Sequence, residues 1–183
     1  MASRLLARAA AAAIATGLVL SCLAEPAAAD TRRFRDQVGE TGVESDLTRV
    51  FVNHGARGGR RLVVAVAVGN LGPSDTFAVF IEARRRNAGP EYLVRLRPNS
   101  TGPSLRRIAG WGDVGSGEGV RCTGLRGQAD AFGPDRIRVS VPRTCVRTPA
   151  RVRIGIQARY RYPDEVIVDW APKRRSLFGT VRR

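Results

Sequence analysis

From Val152 to Tyr162 the chain alternates without a break. Val152, Ile154, Ile156, Ala158, Tyr160 and Tyr162 share one parity, and Arg151, Arg153, Gly155, Gln157, Arg159 and Arg161 share the other. A period of two over this length is the pattern of a β-strand with one face in a core and one face in water. Pro163 ends it. Shorter runs of the same kind precede it. Val50 and Val52 alternate within Leu47–Asn53, Phe77, Val79 and Ile81 form a third run, and Tyr92, Val94 and Leu96 form a fourth. The segment 105–111 alternates poorly, Ile137, Val139 and Val141 alternate cleanly up to Pro142, and Val166–Val168 makes a short last strand. Leu62 to Val68 is apolar on both parities, which predicts a central, well-covered strand. Gly and Pro clusters such as Gly69-Asn70-Leu71-Gly72-Pro73 and the glycine-rich loop 110–119 punctuate these runs. No apolar stripe at helical spacing occurs after the first 29 residues. The reading is an all-β chain, a single antiparallel β-sandwich or a barrel.

The first 29 residues read as a segment that is removed. Arg4 and Arg8 precede an apolar run from Ala9 to Leu20, and Ala27-Ala28-Ala29 supplies a small-residue exit before Asp30. These are the three parts of a secretory signal peptide. The apolar run is shorter than the ~20 residues that span a bilayer, and no later stretch qualifies as a transmembrane segment. An alternative cut lies at Val19-Leu20-Ser21-Cys22, where a lipidated Cys22 would become the N-terminus of a lipoprotein. With the leader gone, Cys122 and Cys145 remain, and an oxidising compartment predicts one disulfide between them. The expected organisation is a signal peptide over 1–29, an extended lead-in over 30–45, the β-sandwich over 46–171 and a basic C-terminal tail over 172–183.

The chain carries 31 Lys and Arg against 16 Asp and Glu, a formal charge of +15. Lys173 is its single lysine. A domain this basic adheres to polyanions. Arg136 and Arg138 on one predicted strand, and Arg151, Arg153, Arg159 and Arg161 on the next, point away from their apolar partners. If the two strands pair as neighbours, these arginines share one sheet face. Like charges opposite one another in a sheet are unfavourable, so acidic neighbours, a staggered register or an anionic ligand must relieve them. The alternative is a solvated face whose arginine stems cover the sheet. Trp111 and Trp170 lie near strand ends, where aromatics line a sugar site or close a core.

Signals for catalysis are thin. His54 is the only histidine and sits in an Asn-His-Gly turn sequence, and no serine lies in a Gly-x-Ser-x-Gly elbow. A pair of carboxylates for hydrolysis would show only in three dimensions.

Several short stretches carry a resemblance: Phe34-Arg35-Asp36 with Gly39-Glu40, Ser45-Asp46-Leu47-Thr48-Arg49-Val50, Gly89-Pro90-Glu91-Tyr92, and Pro142-Arg143-Thr144-Cys145. Over about Asp36 to Trp170 the chain resembles secreted actinobacterial β-sandwich proteins that are similar to DOMON domains and family 9 carbohydrate-binding modules. The resemblance implies a jelly-roll-like sandwich that binds sugars, or haem in some DOMON domains, without catalysis. It also implies a possible calcium site with Asp36 and Asp46 as ligands. Glu82-Ala83-Arg84-Arg85-Arg86 departs from the acidic pattern of the relatives, and a lone His54 speaks against haem. No cofactor other than calcium is expected. The function expected is that of an exported, non-enzymatic module for anionic or glycan polymers of the cell envelope, holding nucleic acid only non-specifically. A secreted hydrolase and a structural or protein-interaction domain are the alternatives.

Overall fold

The structure is a computed structural model that describes residues 31–36, 46–55, 59–84, 89–98, 100–130 and 136–183. The leader 1–29 with Cys22, and Gly39, Glu40 and Ser45, lie outside the described residues. Among those described, the regular elements are strands and short 3-10 turns. In chain order the strands are β1 (Thr31–Arg35), β2 (Leu47–His54), β3 (Arg61–Val68), β4 (Thr76–Glu82), β5 (Tyr92–Leu96) and β6 (Ser104–Arg107). They continue with β7 (Glu118–Gly119), β8 (Arg126–Asp130), β9 (Arg136–Pro142), β10 (Arg151–Arg161), β11 (Val166–Ala171) and β12 (Val181–Arg182).

Two antiparallel sheets result. The first runs β1-β2-β3-β9-β8, and the second runs β11-β10-β4-β5-β6-β7 with β12 pairing the start of β10. Their inner faces share one core. Val50, Val52, Leu62, Val64, Val66, Ile137, Val139 and Val141 of the first sheet meet Phe77, Val79, Ile81, Val94, Val152, Ile154, Ile156 and Tyr160 of the second. Alternation therefore did its expected work: β10 buries its aliphatic parity and exposes Arg151, Arg159 and Arg161. β3 is central, between β2 and β9. It is not covered on both sides as expected, because Val63, Ala65 and Ala67 on its outer face are only half-buried.

Three segments gained structure that their patterns concealed. The lead-in contributes β1, an edge strand antiparallel to β2. β8 has the sequence Arg-Gly-Gln-Ala-Asp and turns Gly127 and Ala129 towards the interior. A Cβ at Gly127 would stand 3.0 Å from Leu96 and from Pro103, so the residue is small because the second sheet comes close. The C-terminal segment, expected as a basic tail, returns to the sandwich. Phe178 and Val181 are buried, the Phe178 N–H donates to the Ile154 carbonyl at 2.8 Å, and its ring stacks on Phe34 at 4.6 Å between centroids. Phe34 and Phe178 are apolar anchors in segments that otherwise read as charged.

Cys122 and Cys145 form the disulfide, with their Cα atoms 5.6 Å apart. It ties the loop before β8 to the 3-10 turn Arg143–Val146 that follows β9. Both cysteines pack against the core. Closing a loop of this length restricts the unfolded chain by about 3 kcal/mol in the chain-entropy account. Cys122→Ser/Cys145→Ser should lower the unfolding free energy by about that amount, read from urea denaturation under non-reducing conditions. An unchanged midpoint would show that the bridge adds nothing to a core that is already sufficient.

Candidate anion-binding site

β10 carries outward-facing residues at its odd positions, and the structure divides them into two ends. At one end Arg153 forms a two-pronged ion pair with Glu82 of β4, at 2.8 Å from Nε and 2.5 Å from the terminal nitrogen. Glu82 is 4% exposed and Arg153 43%. The hydrogen bond to Glu82 holds the Arg153 guanidinium above its ordinary value, helped by the charges of Glu82 and Glu91. Arg153 is thus occupied within the fold. Arg151 lies beside it, in a pocket shared with Arg84 and Thr180.

The middle of β10 is covered. Gly155 lies beneath the chain at Ser176, whose carbonyl would stand 2.6 Å from any Cβ placed there. Around it Ala78, Phe80, Leu93 and Ile108 form a second apolar cluster outside the main core, packed by Trp111, Val114, Trp170 and Leu177. Trp111 sits 4.8 Å from Phe80 and 5.7 Å from Trp170, ring centre to ring centre. Trp111 therefore closes this cluster, and its neighbour Trp170 reaches the next feature along the strand.

That feature is a cleft of about 620 Å³. Gln157 and Arg159 of β10, Val168, Asp169 and Trp170 of β11, and Lys173, Arg174 and Arg175 line it. The three basic residues belong to a turn that the Ser176 N–H closes on the Lys173 carbonyl at 3.0 Å. Arg175 holds φ +53°, a left-handed conformation that a side chain adopts at a cost. Arg159, Lys173, Arg174 and Arg175 have no carboxylate partner among the described residues. The cationic field extends across the sheet. Burial lowers the pKa of Arg95, and the neighbouring charges of Arg106, Arg159 and Arg97 lower it further.

The condition for a shared arginine face is not met. β9 and β10 do not pair: β9 lies between β3 and β8 in the first sheet, while β10 lies between β4 and β11 in the second. Arg138 is exposed on the opposite outer face from Arg159 and Arg161, and Arg136 occupies the matching position on β9, paired with Ala67 and Asp130. The chain crosses from one sheet to the other between these strands, so the arginines do not share a face. The residues missed by the sequence reading are Lys173, Arg174, Arg175, Arg95 and Arg106. The available signal was the basic run Lys173-Arg174-Arg175 placed three residues beyond Trp170.

Acidic side chains cluster too, at one end of the sandwich and inside it. Asp46, Asp75 and Asp169 are 4%, 4% and 2% exposed. Asp169 accepts the Leu47 N–H at 2.8 Å and shares a hydrogen bond with Asp46. Burial, then the charge of Asp46, pushes Asp169 up to about 6. Asp75 accepts the N–H groups of Gly72 at 2.7 Å and Arg161 at 3.1 Å. Burial and these three carboxyls push the Tyr160 hydroxyl up. Of the calcium ligands that the resemblance implies, Asp36 is half-buried and Asp46 buried; among the described residues no group of three or more His, Cys, Asp or Glu side chains could hold a metal ion. His54 is buried, and its Nε2–H donates to the Pro149 carbonyl at 2.9 Å; burial lowers its pKa, leaving the ring neutral. The chain matches no family model, no curated protein and no solved structure.

Two predictions follow from this geometry. A carboxyl whose value is raised on folding binds its proton more tightly in the native state. The Asp169 contribution to stability is therefore present below about pH 4 and lost as pH rises through about 6. Asp169→Asn keeps an acceptor for Leu47 and supplies a donor to Asp46. Relative to wild type it should gain roughly 1–3 kcal/mol between pH 4 and pH 7, measured by denaturation at each pH; a pH-independent difference would refute the shared proton. Gly155→Ala should cost about 1–3 kcal/mol by displacing the Ser176 backbone and should loosen the cleft, seen as faster amide exchange at 173–177.

Proposed function

We propose that the protein is an exported, jelly-roll-like binding module without enzymatic activity, which holds anionic or glycan polymers of the cell envelope or its surroundings. The cleft over Trp170 carries this reading: four cations converge on it, and none is neutralised by a carboxylate among the described residues. Arginine guanidinium groups donate paired N–H bonds to sulfate, phosphate or carboxylate oxygens, and Lys173 adds a point charge. Trp170 and Gln157 offer an apolar edge and an amide to the sugar or backbone between the charged groups. Nucleic acid would be held by the same charge, with no reading of bases.

The setting agrees with this. A disulfide suits an oxidising compartment, and among the described residues no helix is long and apolar enough to cross a membrane. The hydrolase alternative would have to use Asp46 and Asp169. Their burial and the hydrogen bond between them favour a structural pair.

The test is retention on immobilised heparin, polyphosphate and a neutral glycan across a salt gradient. Wild type should bind the anionic columns and elute with salt. Arg159→Gln/Lys173→Gln/Arg174→Gln/Arg175→Gln should reduce the slope of log affinity against log salt by about 3, as expected for four lost charge contacts on a flexible chain. Arg175→Gly should bind more weakly yet unfold at a higher temperature, since it removes both a charge and a left-handed side chain. Equal retention of wild type and the quadruple variant would overturn the cleft as the working surface.

A further inference from the structure

We infer that one molecule binds two anionic chains at once, one on each outer face, and so bridges them; this rests on the anion-binding reading above. The outer face of the first sheet has its own arrangement of charge. In register across it, Arg33 of β1 lies beside Phe51 of β2, Phe51 beside Ala65 of β3, and Ala65 beside Arg138 of β9. The next row places Arg35 beside Arg49 and Arg49 beside Ala67. A third places Val63 beside Ser140, and Ser140 beside Arg126 of β8. The centre of this face is therefore a floor of small apolar side chains, Val63, Ala65 and Ala67. It has arginines on both sides. Cavities of about 560 and 640 Å³ lie on either side of that floor.

This face is unrelieved in the way the cleft is. Arg33, Arg35, Arg49, Arg126 and Arg138 are exposed and have no ion pair among the described residues. Arg35 stands directly opposite Arg49, a like-charge pair that costs stability in a sheet. The described carboxylate on the face, Asp130, accepts two hydrogen bonds from the Gln128 amide. A polyanion lying along the floor would relieve the repulsion and leave the apolar side chains in contact with its carbon framework.

The two faces act separately because the sandwich holds them apart. Stacked sheets are ~10 Å apart, with arginine side chains added on both sides, whereas charges are screened over ~8 Å at physiological salt. A chain bound on one face does not cancel the field of the other. A domain with two such faces raises the local concentration of the second polymer once the first is bound. Its consequence is cross-linking, and coating is the alternative it excludes.

The experiment counts sites. Titration calorimetry of the protein with a heparin octasaccharide, too short to wrap the sandwich, should give two per molecule, and a short polyphosphate arm tells whether sulfate or phosphate is held. The cleft variant above and Arg33→Gln/Arg49→Gln/Arg126→Gln/Arg138→Gln should each retain one. With long heparin, wild type should become turbid near charge balance and clear in excess polymer, while either variant stays clear. Arg60→Gln/Arg107→Gln/Arg121→Gln/Arg182→Gln removes the same charge elsewhere and should behave as wild type. A wild-type stoichiometry of one, or turbidity of both single-face variants equal to wild type, would overturn bridging while leaving the binding function standing. No retention of wild type on any anionic column would overturn the binding function itself.

Discussion

The carbonyl of Pro149 is where the first sheet passes the chain to the second, and the placement of every later side chain depends on how it is held. His54 at the end of β2 and Arg143 at the start of the 3-10 turn after β9 both donate to it, each at 2.9 Å, in a buried site. The Arg143 N–H bonds the Arg60 carbonyl, and the Thr148 N–H bonds the Arg143 carbonyl at 2.7 Å. Arg147 and Thr148 turn through left-handed conformations, and Cys145 is bridged to Cys122. A buried acceptor with two donors is a fixed point, because moving it away would leave both donors without that partner in a buried site. The corner turns the chain over, so the arginines of β9 and those of β10 emerge on opposite sides of the molecule.

Much of this architecture is legible in the alternation of single strands, because burial of one face sets parity locally. Val152 to Tyr160 face inward and Arg151 to Arg161 outward as their pattern requires. Parity does not say which sheet a strand joins. The corner between Pro142 and Arg151 settles that, and its hydrogen bonds join residues far apart in the chain, such as His54 and Pro149. Strands whose inward residues are small are also invisible: β8 turns Gly127 and Ala129 inward, and Leu96 and Pro103 fill the space at Gly127 from across the sandwich. The cleft was hidden for a related reason. Lys173, Arg174 and Arg175 read as a solvated run, and only the fit of Gly155 beneath Ser176 brings them back over β10.

Composition also understates how basic the exterior is. Asp46, Asp75, Glu82, Glu91 and Asp169 are buried, whereas Arg143 is the basic residue buried with them among those described. The acids accept backbone N–H groups from Leu47, Gly72, Ala83 and Arg161, or the Arg153 guanidinium. Such charge-assisted bonds hold loops to strand ends. Carboxylates used in this way are withdrawn from the surface, where they would have screened neighbouring arginines, and the outward field follows from that internal use.

The stacking of Phe34 on Phe178 joins segments near the two ends of the chain, and Val181 completes the layer against Val152. This layer cannot close until the segments that carry Phe34 and Phe178 have come together. Contacts of such long sequence separation raise the contact order and slow folding. The two segments thus act as a clasp: neither buries its aromatic ring without the other, and the sandwich closes at this edge only once both are in place.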